Sequence, residues 1–485
     1  MSHLGSVERP LRVAIIGSGP SGFYAAEELL AGSPSTAPFD QHGQAGFSIT
    51  RLPDGHGQAG KAIVKVDMYD RLPAPFGLVR YGVAPDHPKI KNVIRIYEKT
   101  ANHPDFSFFG NVMVGKDIAV VDLQKYYEAI LFACGSQTDN KLGIPGENLA
   151  GSYTATEFVA WYNGHPDYRN REFDLSHEVA VVVGQGNVAM DVSRILCKTV
   201  DELKTTDIAA HALEALSKSK VKEVHLIGRR GPAQAAFTPP EIREFGELAD
   251  CDPIVNIDDL KLNPESEAEL NDPANLSKKK NFEILKEYAG RTSAGKHKKF
   301  VVHFFKSPKE LRGSNRIQKL VIEKNKLNGP AGKQKVEGTG ETEEMKCGIL
   351  FRSVGYRGVP ILGIPFEESK GIFPNEGGRI SDNGKIVLGL YAAGWIKRGP
   401  TGVIGTNKPD SVETVRNIIA DIPNLKFCAV PDSQSALNFL KGKGIKVVTF
   451  ADWKKIDAAE IANGQKAGKP REKFSKVEEM LRVIQ

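Results

Sequence analysis

Two glycine-rich turns, each set between an apolar run and a helical pattern, constrain this chain more than any other feature. The first, Gly17-Ser18-Gly19-Pro20-Ser21-Gly22, follows Val13-Ala14-Ile15-Ile16. The second, Gly184-Gln185-Gly186-Asn187-Val188-Ala189, follows Val179-Ala180-Val181-Val182-Val183. Strand, tight turn and helix in that order give a Gly-x-Gly-x-x-Gly match its meaning. The first glycine permits the turn, the second lets backbone approach a pyrophosphate, and the third lets helix pack on strand. Free N–H groups at the helix start then face the phosphates. The chain is expected to hold two dinucleotides.

The strand after each turn separates the two. After the first, the strand-like run from Ala62 to Tyr69 ends at Asp70, a carboxylate placed for a ribose diol. After the second, the run Val224-His225-Leu226-Ile227-Gly228 ends in Arg229 and Arg230, with no acid. Paired guanidinium groups suit a 2′-phosphate. The second nucleotide is therefore expected to be NADP(H). The first is expected to be FAD, because a hydride donor needs an acceptor and no other redox group is evident. Leu131-Phe132-Ala133-Cys134-Gly135 and Leu388-Gly389-Leu390-Tyr391-Ala392-Ala393-Gly394 read as further strands ending in small residues. The NADP fingerprint lies between them.

The fold class is thus α/β, with two doubly wound Rossmann-like units, the NADP unit inserted into the FAD unit. The expected boundaries are 1–137 and 356–485 for FAD and 138–355 for NADP. A Gly/Pro/Ser/Gln-rich insertion at 31–61 repeats His-Gly-Gln-Ala-Gly at His42 and His56, and a tail covers 424–485. Five scattered cysteines among 485 residues argue against a disulfide framework, a metal ribbon or a redox dithiol. No metal is expected. No apolar run approaches the ~18 residues of a membrane span, and the first one, cut by Gly17, reads as strand rather than signal peptide. A monomer in the bacterial cytoplasm is expected, or in the mitochondrial matrix of a eukaryote. The formal charge of +6 is too mild to argue for nucleic acid but suits an acidic protein partner.

Further motifs appear in order along nearly the whole chain: Pro75-Phe76-Gly77-Leu78-Val79-Arg80, Trp161-Tyr162-Asn163-Gly164, Gly228 to Pro232, Phe237-Thr238 with Glu241, Gly394-Trp395, Gly399 to Ile404, and Gly468 to Lys473. This series resembles NADPH–adrenodoxin reductase and its bacterial ferredoxin–NADP⁺ reductase relatives, which have a glutathione-reductase-like fold. The resemblance implies FAD contacts at Ser21, Asp70, Leu78, Trp395, Gly402, Val403 and Ile404. It implies NADP contacts at Gln185, Gly186, Asn187, Val188, Arg229, Arg230, Glu241 and Gly402. Asp70 departs from it, being one methylene shorter than the family's usual Glu, and the 31–61 insertion has no counterpart in it. With Gly17, Gly19, Gly22, Gly135, Gly184 and Gly394 these residues form the expected cofactor set.

His87, Glu244 and Trp395 are the expected catalytic residues, the tryptophan covering a ring and the other two at its edge. With no paired cysteine, electrons are expected to leave to a one-electron carrier of ferredoxin type. The alternatives are a flavoprotein subunit of a larger oxidoreductase, which would carry a cysteine cluster, and a non-catalytic NADP sensor, which would not need a flavin half. An acidic carrier needs a basic face. Lys278, Lys279, Lys280, Lys298 and Lys299 form one candidate, and Lys89, Lys91 and Arg95, after Pro75–Arg80 (the expected flavin loop), form the other. Because Arg229 and Arg230 replace a ribose-binding acid, NADPH should be preferred to NADH by at least about tenfold in kcat/KM, ~1.4 kcal/mol. Replacing both with Ala should erase most of that gap through KM for NADPH, measured with ferricyanide as acceptor.

Overall fold

A computed structural model describes residues 3–31 and 62–485; His42, His56 and nearly all of the 31–61 insertion lie outside the described residues. Strand Leu11–Ile16 is buried along its whole length. It shows no polar alternation because both faces of a parallel sheet are covered. It lies between Val64–Tyr69 and Ala129–Phe132, parallel to both. The full seven-stranded order is Asn375–Glu376, Arg379–Asp382, Lys385–Ala392, Ala129–Phe132, Leu11–Ile16, Val64–Tyr69, Phe106–Phe109. The last five run parallel and the first two form an antiparallel edge. Helices Pro20–Leu30 and Asn407–Asp421 cover one face, burying Phe23, Leu29, Val415 and Ile418.

A second sheet, six-stranded and parallel throughout, takes its strands from Ser152–Thr154 to Ile349–Arg352. On one face Val182, Leu226 and Phe300 pack with Met190 and Ile195 of helix Asn187–Cys197 and Leu285 of helix Leu276–Gly290. On the other, Val181, Val183, Ile227 and Leu350 pack on Leu311, Leu320 and Ile322. Those three belong to a separate antiparallel sheet of Lys306–Arg312, Lys319–Asn328 and Lys335–Lys346. The sequence did not announce this third sheet. Its outer strand is exposed almost throughout and joined to its neighbour by ion pairs such as Lys324–Glu341 and Lys319–Glu344. It therefore lacks the apolar alternation that marks a half-buried strand.

The chain passes from the first sheet to the second and back at two adjoining points. There the short strands Thr138–Asp139 and Tyr356–Arg357 pair antiparallel, Asp139 opposite Tyr356. The tail packs against the flavin loop: Arg80 meets Glu460, from helix Phe450–Lys466, at 2.5 Å, and both side chains are almost wholly buried. Trp453 lies under the Arg80 guanidinium at 4.9 Å. Two charges removed from water are stable only as a pair. Glu460→Ala should therefore lower unfolding stability by about 3–5 kcal/mol, read from the denaturant midpoint.

Candidate functional site

Each fingerprint builds a cradle in which added side-chain atoms would clash. Gly17 has φ +109° and a Cβ there would lie 2.5 Å from the Ala133 carbonyl oxygen; at Gly22 it would lie 2.2 Å from the Gly17 oxygen. Gly19, Gly135 and Gly186 face open space instead. In the second cradle, a Cβ on Gly184 (φ +140°) would lie 2.2 Å from the Ser353 carbonyl oxygen. Helices Pro20–Leu30 and Asn187–Cys197 start at Gly19 and Gly186 with no side-chain cap, so their first N–H groups remain available to an anion. The flavin loop closes on the first cradle: the Phe76 N–H donates to the Ser18 carbonyl at 3.0 Å, and a Cβ on Gly77 would lie 3.0 Å from the Gly19 Cα. Leu78 and Val403 leave large parts of their apolar side chains exposed beside these glycine-rich segments.

The two positions expected to recognise a ribose differ in their partners. Asp70 accepts from the Ser18 N–H at 3.0 Å, the Ser18 hydroxyl at 2.5 Å and the Leu72 N–H at 2.9 Å. A carboxylate has about four acceptor sites, so a ribose hydroxyl can still be received, while the shorter side chain is held back against its own turn. Arg229 and Arg230 are exposed, and neither guanidinium has an ion-pair partner among the described residues. The buried Gln185 Nε2 lacks a hydrogen-bond partner, and its side chain lies over Gly228, where a Cβ would overlap it. Asn187 Oδ1 accepts from the Thr238 N–H at 2.9 Å, and Val188 packs against the helical core. Open cradles, an orphaned buried donor and two unpaired cations fit two dinucleotides, the second bearing an extra phosphate.

The segment from Gly394 to Ile404 joins the first fingerprint. A Cβ on Gly394 (φ +74°) would lie 2.0 Å from Ser21 Oγ, and Ser21 Oγ donates to Asn407 Oδ1 at 3.0 Å. Trp395 is half-buried, its ring 5.2 Å from that of Tyr356 and its Nε1 donating to the Thr401 carbonyl at 3.2 Å. Gly402 is exposed with φ +80°, and Ile404 is half-buried.

His87 and Glu244, 157 positions apart, come together: the imidazole Nε2 lies 3.0 Å from both Glu244 oxygens. His87 Nδ1 lies 3.8 Å from Glu241 and 4.0 Å from Asp191. Sequence reasoning missed the residue that gathers these acids. Arg194, fully buried, donates from Nε to Asp86 at 2.8 Å, from Nη1 to Glu241 at 2.8 Å and from Nη2 to Asp191 at 2.6 Å. Lys198 adds a contact to Asp86 at 2.8 Å. The one available signal was Asp191 and Arg194 at i,i+3 on the helix after the second fingerprint. Ligand atoms of Asp86, His87 and Glu244 lie within 4.8 Å of one another, as do those of His87, Asp191 and Glu241. Arg194 and Lys198 already compensate these acids.

Burial and Arg194 push the His87 pKa down, but the Glu244 hydrogen bond and the charges of Asp86 and Glu241 outweigh them and hold it above its ordinary value. Burial alone would raise Glu244, yet His87 and Arg194 bring it below the usual carboxylate range. Burial, with the charge of Asp191, raises Glu241 to about 7. The cluster can therefore hold a charged His87–Glu244 pair beside a carboxyl that exchanges its proton near neutrality.

Known proteins resemble this chain along almost its whole length. A family model described as pyridine nucleotide-disulphide oxidoreductase matches residues 11–247. The chain is 43% identical over 484 residues to the NADPH-ferredoxin reductase FprA of Mycobacterium tuberculosis, spanning 98% of this chain and 99% of that one. The chain belongs to the NADPH–ferredoxin and NADPH–adrenodoxin reductase family. The mitochondrial NADPH:adrenodoxin oxidoreductase of Salvelinus fontinalis, another member, is 41% identical over 485 residues, 97% of this chain and 91% of that one. The solved structure of Mycobacterium tuberculosis FprA in complex with NADPH has a TM-score of 0.87 at 42% identity, covering 98% and 99% of the two chains.

Four of the candidate docking cations have internal acceptors in the structure. Lys278 pairs with Glu269 at 2.5 Å, Lys299 with Glu223 at 3.2 Å, and Lys298 Nζ donates to the Leu196 and Lys198 carbonyls. Lys91 is held by both oxygens of Asp207 at 2.6 and 2.8 Å. Lys91 and Lys298 are mostly buried in these contacts, whereas Lys278 and Lys299 stay partly exposed.

A group with a raised folded pKa stabilises the fold below its unfolded value and loses that contribution as pH rises through the folded value. For Glu241 the window runs from 4.5 to about 7. Glu241→Gln should therefore gain thermal stability relative to the parent as pH rises from 5 to 8; a parallel Tm profile for the two proteins would contradict this.

Proposed function

We propose that the chain is a ferredoxin–NADP⁺ reductase, with FAD held by residues 1–137 and 356–485 and NADP(H) by 138–355. The carrying observation is the contact of His87, next to the flavin loop, with Glu244, from the segment after the second fingerprint, at 3.0 Å. In this reading it joins the two nucleotide-binding halves at one polar junction. Gly19 and Gly135 then face the FAD phosphates on the turn that Gly17 and Gly22 permit, and Asp70 receives its ribose. Gly184, Gly186 and Asn187 receive the NADP pyrophosphate, and Arg229 and Arg230 its 2′-phosphate. Trp395 and Val403 cover the rings, while His87 and Glu244 hold or move a proton at the ring edge. FAD, when bound, supplies a centre that accepts a hydride and releases electrons singly.

The cysteines support an outward electron path. All five are free thiols, and burial pushes Cys134 and Cys347 up to about 12, far from thiolate reactivity. The relatives' names point to the same class of acceptor, an iron–sulfur protein of ferredoxin or adrenodoxin type. We place the protein in the cytoplasm as a monomer; no helix of the described residues is long and apolar enough to cross a membrane.

For the acceptor we favour the face after the flavin loop. Lys89 and Arg95 are exposed, and Ile90 and Ile96 beside them are nearly half exposed. Apolar side chains edged by cations suit a small acidic protein. In the other candidate, Lys279 and Lys280 are the exposed lysines without an ion-pair partner among the described residues. Exposed charges are screened over about 8 Å at physiological salt, so ferredoxin reduction should slow as salt rises while ferricyanide reduction does not follow. Reversing Lys89 and Arg95 to Glu should raise KM for ferredoxin several-fold, and reversing Lys279 and Lys280 should leave it nearly unchanged. The opposite ranking would move the docking face to helix Leu276–Gly290.

A further inference from the structure

The third sheet has no place in the reaction as so far described, yet it grips the arginine-bearing turn at three successive carbonyls. The Lys306 N–H donates to the Gly228 oxygen at 2.9 Å and the Phe305 N–H to the Arg230 oxygen at 3.1 Å. Between them, Asn325 Nδ2 donates to the Arg229 oxygen at 2.9 Å. This middle bond is made by a side chain and so depends on residue type.

Three local features aim that side chain. Asn325 lies where the pairing of Lys319–Asn328 with Lys335–Lys346 shifts register, a bulge that redirects a residue out of the ladder. Its N–H donates to the Phe305 oxygen at 2.7 Å, and Nδ2 also donates to Ser307 Oγ at 2.8 Å, which fixes the amide orientation. Phe305 itself has φ +54°, an unusual conformation for a bulky side chain, at the corner where the chain leaves strand Lys298–His303 for strand Lys306–Arg312. Its ring presses on the same turn: a Cβ on Gly231 would lie 2.5 Å from it. Such a conformation persists only where the surroundings over-determine it.

Asn325 is 9% exposed, whereas the two guanidinium groups it supports stand in solvent without an ion-pair partner among the described residues. The backbone of the turn is thus fixed while its cations stay free. We propose that Asn325 is a positioning residue for nucleotide selection: by holding the Arg229 carbonyl it sets the two guanidinium groups where a 2′-phosphate is gripped. The inference rests on the assignment of Arg229 and Arg230 to that phosphate.

The test uses the full-length flavoprotein with ferricyanide as acceptor and either NADPH or NADH as donor, alongside competitive inhibition by 2′-AMP and 5′-AMP. Asn325→Leu keeps the shape and removes the donor; Asn325→Ala is the second variant should the first fold poorly. Loss of one buried hydrogen bond to a positioning group should raise KM for NADPH and Ki for 2′-AMP about fivefold. NADH kinetics, 5′-AMP inhibition and kcat at saturating NADPH should stay within about twofold of the parent. A merely structural role would move both nucleotides together or lower kcat, and either result overturns the proposal. Arg229→Ala with Arg230→Ala separates the two failures. If that pair loses the preference for NADPH and the Asn325 variants keep it, Asn325 has no such role. If that pair keeps the preference, the phosphate assignment itself is wrong.

Discussion

The buried guanidinium of Arg194 is the interaction on which the arrangement of the two sheets most depends. Its helix starts at the second fingerprint, and its Nε and Nη2 hold Asp86, the residue before His87 on the segment after the flavin loop. A cation with no solvent contact is tolerated only when its donors are matched. Here carboxylates from three segments meet it: Asp86, Asp191 and Glu241. The same acids set the proton affinities around His87, so the group that joins the halves of the molecule also tunes the polar cluster at that join.

A second join lies at the tail. Asp207 is shared by Lys91 from the flavin side and Lys473 from the C-terminal segment, and Lys473 also reaches Asn163 Oδ1 at 3.3 Å. Burial lowers the Lys473 pKa to about 7, against the pull of Asp207. Together with Arg80 and Glu460, this makes the tail part of the wall beside the first cradle rather than an appendage.

The parts of this architecture legible in the sequence were those encoded locally. A buried parallel strand, a glycine turn and a helix occupy some twenty consecutive residues, and their order alone places phosphate-facing N–H groups. His87 and Glu244 were legible as candidates, though their contact across 157 positions was not. Arg194 and Asp86, 108 positions apart, were invisible for the same reason: an ion pair leaves no periodicity. The third sheet escaped because Lys335–Lys346 carries charges on both faces, and cross-strand ion pairs replace the apolar alternation that identifies strands. The lysine-rich run was legible as cations but not as ion pairs. Composition counts cations but does not show that Glu269 and Glu223 lie within reach of Lys278 and Lys299.

The antiparallel pairing of Thr138–Asp139 with Tyr356–Arg357 has a consequence for how such a molecule can be assembled. Opposed residues in an antiparallel pair lie about 5 Å apart, little more than one step of the chain. A polypeptide that ran straight from Asp139 to Tyr356 would close without disturbing any strand of the seven-stranded sheet. Entry and exit side by side are what let one folded body be spliced into another. The second sheet, with its three-stranded buttress, thus leaves and rejoins the chain of the first at one place, and none of the seven strands is interrupted by it.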